Sequence, residues 1–311
     1  MSAVAATPSR SPLQRLRLYL SLLRYSSAHN RDFAREHYAF FAGMLEELRQ
    51  HGKDPRGLRV LDVGCGKSYW LTLLLHSYGA QVTGVDTEYV QAGFRPGKYY
   101  SILRWNGFER ALKTLIWDLV YARPYYRELA RQCPFALKFN GLDTRVATDG
   151  RMEFPENGFD LAVSHEVFEH IRDVDAVARD LSKLLTPDGL TYIYVHNFAS
   201  ISGGHHIAWK YPDTEPSPDV PPWDHLREKR FPDIPSWVNS MREAEYREIF
   251  ARYFTILEWI PSGREGASLL LPEIRHELGS YSEDELLTKG FTIVARPKAV
   301  ENASIDQAAS S

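Results

Sequence analysis

Short apolar runs closed by glycine or polar turn residues recur through the middle of the chain. They alternate with segments whose apolar positions fall three or four apart. The first pattern predicts buried parallel strands and the second amphipathic helices. Strands are predicted at 58–63, 81–86, 144–148, 159–164 and 190–195, with helices at 68–78 and 173–185. Residues 88–140 exceed an ordinary crossover and are rich in aromatics and arginine. They predict one crossover helix and an inserted helical pair near 105–120 and 123–132. A helix at 243–252 then precedes two closing strands, 254–260 and 291–295. Alternation at this spacing predicts an α/β fold, a doubly wound, seven-stranded, mostly parallel sheet with helical insertions.

Before residue 57 the pattern differs. Met1–Pro12 is small and polar and reads as a flexible tail. The leucines of 13–24 are interrupted by Arg15, Arg17 and Arg24, which predicts an amphipathic helix too short and too charged to span a bilayer. Docking on the domain or at an interface is the plain reading of this helix. A weak membrane-surface contact and a cleaved transit segment are the alternatives. Phe33, Tyr38, Phe41, Met44 and Leu48 predict a second helix over 31–50, stopped by turn residues 51–57. The expected organisation is a tail and basic helix over 1–30 and a helical lid over 31–57. The main domain follows over 58–297, with insertions at about 95–140 and 197–240, and a flexible tail over 298–311.

The composition, 44% hydrophobic and 25% charged, is that of a soluble globular chain and excludes disordered, collagenous and disulfide-rich classes. Lys+Arg numbers 37 against Asp+Glu 40, a formal net charge of −3, which weighs against a binder that works by neutralising phosphates. No nucleic-acid partner is expected. The only cysteines, Cys65 and Cys133, offer neither a disulfide framework nor an all-cysteine zinc site, and they favour a reducing, cytoplasmic setting.

Candidate chemistry begins at Val60-Leu-Asp-Val-Gly-Cys-Gly66, a tight glycine turn at the carboxyl end of the first strand. Glycine permits unusual dihedrals and close ligand approach there, and the following helix presents free N–H groups. Asp86 ends the second strand, where a carboxylate accepts from the ribose hydroxyls of a nucleoside. A dinucleotide site needs a third glycine where this chain has Tyr69, which counts against a nicotinamide-dependent oxidoreductase. These residues resemble the class I S-adenosylmethionine-dependent methyltransferases. Residues 60–66 are similar to that family's first motif and Asp86 to its ribose-binding acid. Asp149-Gly150 is similar to its adenine-binding pair, Phe154–His170 to its fourth-strand segment, and Leu184–Leu190 to the turn into its fifth strand. The resemblance implies a Rossmann-like fold with S-adenosyl-L-methionine as cofactor. By position it implies that Gly64 and Gly66 meet the cofactor's amino-acid part, with Asp62 orienting that region. Asp86 takes the ribose and Asp149 and Gly150 the adenine. Ser164 and His165 lie beside the sulfonium.

The acceptor is less legible. His165-Glu-Val-Phe-Glu-His170 superficially matches a zinc-protease helix, but the second histidine of that motif would stand at 169, where this chain has Glu169. Gly203-Gly-His-His206 and Pro221-Pro-Trp-Asp-His225 follow the fifth strand, with Trp209 and Trp223 nearby. His206 and His225 are the candidates for acceptor binding and general base, with His165 or Glu166 behind them. A divalent metal and plain structural hydrogen bonding are the competing readings, and no metal ligand is assigned. Val220-Pro-Pro-Trp223 lacks the leading Asp or Asn of an amino-methylase motif and follows the wrong strand. The expected activity is O-methylation of a small molecule or glycan. The alternatives are a macromolecule methylase and a non-catalytic cofactor-binding subunit.

Overall fold

The computed structural model describes residues 12–93, 96–147, 152–227, 229–230 and 237–298, with side chains described from His29 onward. Seven strands form one sheet in the order β3-β2-β1-β4-β5-β7-β6. They are β1 (Arg59–Val63), β2 (Gln81–Asp86), β3 (Asp143–Val146), β4 (Phe159–His165), β5 (Leu185–His196), β6 (Phe254–Arg264) and β7 (Thr288–Pro297). β1 to β5 pair in parallel, while β7 runs antiparallel to both β5 and β6. The strand order reverses between β1 and β4, and open α/β sheets hold ligands outside the carboxyl ends of their strands at such a point.

Helices cover both faces, which is why β1 is buried everywhere after Arg59. On one face α1 (Pro12–Gln50), α2 (Trp70–Tyr78) and α4 (Ala122–Gln132) pack Phe41, Met44, Leu74 and Leu129 on Val60 and Leu161. On the other, α5 (Val174–Leu184) and α6 (Glu243–Tyr253) bring Ala178, Leu181 and Phe250 onto Leu61, Ala162 and Ile193. Asp173 caps α5 by accepting from the Ala176 N–H at 2.9 Å. Thr186–Gly189 bulges out of the β4–β5 ladder, since Phe159 pairs with Leu185 and Leu161 with Leu190.

Two sequence expectations need correction. The first two predicted helices are one, α1, because neither glycine nor proline interrupts the chain from Leu13 to Ala42. A division at residue 30 therefore falls inside a helix, where the buried Asn30 side chain donates to the Tyr121 carbonyl at 3.0 Å. The first insertion holds α3 (Pro96–Ile116), broken at Gly107 (φ 82°), then a π-helical turn, Trp117–Tyr121, leading into α4. Of the predicted tails, 1–12 and 298–311, residues 1–11 and 299–311 lie outside the described residues, and Pro12 opens α1.

A smaller apolar cluster holds the segment after β5. Ile201, Trp209, Val220 and Trp223 pack on α7 (Pro272–Glu277) and α8 (Glu283–Leu287) through Ile274 and Leu286. Among the described residues no helix is long and apolar enough to cross a membrane.

Candidate active site

At the switch point β1 runs into Gly64 (φ 80°), Cys65 and Gly66 (φ 61°). The N–H groups of Gly64 and Cys65 both donate to the Val85 carbonyl, at 2.7 and 3.0 Å, folding the turn back onto β2. Gly66 N–H and Glu88 N–H each donate to the Asp86 carboxylate at 2.9 Å. These bonds set the carboxylate against the turn, twenty residues away in sequence. A Cβ on Gly64 would collide with the Val167 side chain.

A cavity of about 670 Å³ opens here, lined among others by Gly64, Asp86, Ala147, Met152, Val167 and His170. Ligand clefts commonly fall within roughly 300–1,000 Å³. Asp149 and Gly150 lie outside the described residues.

Three sequence candidates on this side have duties within the fold. Asp62 is buried and accepts from the Thr72 hydroxyl at 2.5 Å, tying β1 to α2. Burial pushes its carboxyl up to about 7, against the opposing pull of the Thr72 bonds. Ser164 is fully buried and donates to the Val63 carbonyl at 2.8 Å. Its hydroxyl clamps β4 to β1 at the switch point. Tyr69 takes a left-handed conformation (φ 34°, ψ 33°) at the position of a dinucleotide site's third glycine. Its buried ring stacks on Tyr126 at 5.8 Å and fills that space.

Beyond β4 the chain carries polar side chains toward β5. His165 ends β4 inside an aromatic box, with Phe40 of α1 at 4.2 Å, Tyr194 of β5 at 5.0 Å and Trp70 of α2 at 5.2 Å between ring centroids. Burial lowers its pKa. Glu166 adopts φ 53° and its N–H donates to the Tyr194 carbonyl at 3.1 Å. Desolvation raises the Glu166 pKa, but His165, His196 and Lys210 outweigh it and draw the carboxyl below its usual range. Val167 then packs on Gly64, which brings this segment against the glycine turn.

The short 3₁₀ turn Phe168–His170 turns Glu169 inward. This residue is 2% exposed, and neither carboxylate oxygen has a hydrogen-bond partner among the described residues. Burial, then the neighbouring Glu166, drive its pKa well up; the N–H groups of Glu169 and His196 ease this without reaching hydrogen-bond geometry. His205 faces Glu169, Nε2 to Oε1 3.9 Å, from a left-handed backbone (φ 54°), and that nitrogen is also buried without a hydrogen-bond partner among the described residues. Burial lowers the His205 pKa to about 4, so the ring is neutral at pH 7. His196, at the carboxyl end of β5, lies 4.8 Å from His205 between ring centroids and 3.9 Å from Glu166 (Nδ1 to Oε1). His170 completes the group at 4.9 Å from His205, its Nδ1 bonded to the Trp237 carbonyl at 2.6 Å.

The histidines singled out by sequence do different work. His206 accepts from the Ala208 N–H at 3.1 Å and caps the following turn. His225 bonds the Phe198 carbonyl through Nε2 at 2.9 Å and packs on Gly204, while burial lowers its pKa to about 4. His206 lies near enough to His225 to add to the lowering of its pKa, while His196 and His205 converge on Glu169. Trp209 and Trp223, read as companions of a sugar site, are 2% and 0% exposed and belong to the core beneath the loop. The sequence signal for the observed cluster was the density of carboxylate and imidazole after β4, together with a histidine at the carboxyl end of β5.

The methyltransferase domain family matches residues 28–253. A curated relative, the ubiquinone biosynthesis O-methyltransferase of Pelagibacter ubique (strain HTCC1062), is 21% identical over 170 residues, 52% of this chain and 55% of that protein. The chain thus spans about half the length of this curated relative. Among solved structures, an S-adenosylmethionine dependent methyltransferase from Mesorhizobium loti is 18% identical with a TM-score of 0.45, covering 81% of this chain and 96% of that one. The PH0226 protein of Pyrococcus horikoshii OT3 is 17% identical with a TM-score of 0.45, covering 84% of this chain and 91% of that one.

Proposed function

We propose, for a chain that belongs to the methyltransferase domain family and is an S-adenosylmethionine-dependent methyltransferase, that the methyl group goes to an oxygen of a small hydroxylated molecule. The observation that carries this reading is the group of carboxylates and imidazoles at the carboxyl ends of β4 and β5, set against the glycine turn through Val167. Nitrogen and sulfur nucleophiles need little help against a sulfonium, whereas a hydroxyl gains from a group that removes or acidifies its proton. In the transfer, an oxygen lone pair forms the new bond to the methyl carbon. The carbon–sulfur bond breaks, its electron pair stays on sulfur to give S-adenosylhomocysteine, and the hydroxyl proton leaves to the polar cluster or to water. Alignment of oxygen, methyl and sulfur supplies much of the remaining acceleration.

In this reading Asp86 holds the ribose, Gly64 and Gly66 admit the amino-acid part, and Asp149 and Gly150 take the adenine. Asp62 orients the turn through α2. His165 and the rings of Phe40, Trp70 and Tyr194 border the acceptor, roofed by α1 in the lid role expected of residues 31–57. His206 and His225 shape the loop. A phenol or small alcohol fits this box better than a glycan, since the two tryptophans that would stack on a sugar are buried. The O-methyltransferase name of the Pelagibacter relative accords with an oxygen acceptor. A reducing, cytoplasmic setting accords with the two free thiols.

Incubation of the protein with methyl-labelled S-adenosylmethionine and fractionated extract tests the reading. Label in alkali-stable ethers of small molecules is the expected result. Label confined to protein or RNA favours a macromolecule methylase, and none in any pool favours a cofactor-binding subunit.

A further inference from the structure

We propose that Glu169, His196 and His205 form a binding site for a first-row divalent transition-metal cation, which engages the acceptor hydroxyl. One ligand atom from each of the three residues lies within 4.8 Å of the other two. Metal–nitrogen and metal–oxygen bonds of about 2.0–2.2 Å place neighbouring ligands roughly 3–3.5 Å apart, so a modest contraction closes the site. The inference rests on the oxygen-acceptor reading for its chemical role, but not for the existence of the site.

Three features single out this cluster. Glu169 is 98% enclosed, being only 2% exposed, and both its oxygens lack hydrogen-bond partners among the described residues. A buried carboxylate in that condition costs several kcal/mol unless it is neutralised or ligated. The Nε2 of His205 is also buried without a hydrogen-bond partner among the described residues and faces that carboxylate at 3.9 Å. Its left-handed backbone is a strained conformation of the kind that collects at functional sites.

The third feature is the tautomer of His196. Ser202 donates its single hydroxyl proton to Glu265 at 2.5 Å, and the Ser202 N–H reaches the same oxygen at 2.9 Å. With Glu265 ionised, the Ser202 oxygen, 2.7 Å from His196 Nε2, accepts from it. His196 then carries its proton on Nε2 and its lone pair on Nδ1, the nitrogen on the side of Glu166. A carboxylate–hydroxyl–imidazole chain of this sort orients a metal-binding histidine and raises its basicity. Two imidazoles and one carboxylate favour zinc, cobalt, iron or manganese over magnesium or calcium. A hydroxyl bound to such a cation is acidified and can react near neutral pH without a strong protein base.

The test is titration of the full-length protein, stripped with dipicolinate and dialysed, with Co²⁺ alone. Binding is followed by calorimetry and by visible d–d absorption, with Zn²⁺ and Mn²⁺ as competitors. One equivalent is expected per chain. Glu169→Gln and His205→Ala should each weaken binding by at least about a hundredfold, and Ser202→Ala, which frees the His196 tautomer, by about 10–100-fold. Without cation, Glu169→Gln should melt at or above the wild-type temperature, because the amide has the carboxyl's shape and no charge to bury. Adding Co²⁺ should raise the wild-type melting temperature alone. Absence of cation binding in wild type, or binding unchanged by Glu169→Gln, overturns the site. Label transfer to small-molecule oxygen at full rate by stripped protein would overturn the cation's part in the reaction while sparing the oxygen-acceptor reading. A bound cation with label only in protein or RNA would spare the site and overturn that reading.

Discussion

The two sides of the proposed active-site cleft are built from different materials. The cofactor side is mainly backbone. Gly64, Cys65 and Gly66 fold onto Val85, and Asp86 is held by two backbone N–H groups. The acceptor side is mainly side chain: Glu166 and Glu169 follow β4, His196 ends β5, and His205 comes from the loop beyond. A backbone site depends on a contiguous strand–turn–helix and tolerates few residue types, so its sequence is constrained. A side-chain site depends on tertiary placement, and its members can be scattered.

This contrast predicts that variants on the two sides fail in different ways. The largest effect should come from the acceptor side. Loss of an acid–base or Lewis-acid group typically costs about 10²–10⁴-fold in rate, so Glu169→Ala or His205→Ala should lower kcat in that range while S-adenosylmethionine affinity, measured by calorimetry, stays near wild type. His206→Ala, next in the chain, should change kcat little, because its ring caps a turn. Equal losses in His205→Ala and His206→Ala would erase the distinction between the two neighbours.

On the cofactor side, Gly64→Ala combines a left-handed φ with a collision against Val167. Overpacking at about 1–3 kcal/mol and left-handed strain at about 1–2 kcal/mol should both appear in chemical denaturation, with cofactor binding lost. Asp86→Ala should weaken cofactor binding at least about tenfold, since each charge-assisted hydrogen bond contributes roughly 1.5–3 kcal/mol. Unchanged affinity with an intact circular dichroism spectrum would remove Asp86 from the site.

The smallest effect on turnover is expected at Asp62, whose signature is a pH slope in stability. Burial raises the Asp62 pKa to about 7 in the fold, against about 3.9 in an open chain. Between those values the folded state binds more protons, so stability falls as pH rises from about 4 to about 7. Urea denaturation across that window should show a decline of up to about 4 kcal/mol, about three pKa units at roughly 1.4 kcal/mol each, that Asp62→Asn flattens. Parallel slopes in both proteins would mean that Asp62 ionises normally.

The same contrast explains what the sequence revealed. The seven strands, the glycine turn and the place of Asp86 follow from apolar runs and local spacing. α1 was divided in two because a change in composition near Asn30 resembled a boundary, although no residue there breaks a helix. Ser164 stands where the sequence expected it, but only the folded sheet shows its hydroxyl clamping β1. Choosing between His205 and His206 was beyond periodicity, because one positive φ decides which ring turns toward Glu169. His196 reads in sequence as no more than the end of a strand, because its partner Ser202 and that residue's partner Glu265 lie six and sixty-nine residues further on.

Single-turnover methyl transfer to an acceptor identified by label transfer, measured across S-adenosylmethionine concentrations for Asp86→Ala and His205→Ala, tests the division of labour most directly. Asp86→Ala should need at least about tenfold more cofactor yet approach the wild-type rate at saturation. His205→Ala should saturate at wild-type concentrations with a rate about 10²–10⁴-fold lower. If both variants shift the half-saturating concentration and the limiting rate together, the two sides do not act separately and the account is wrong.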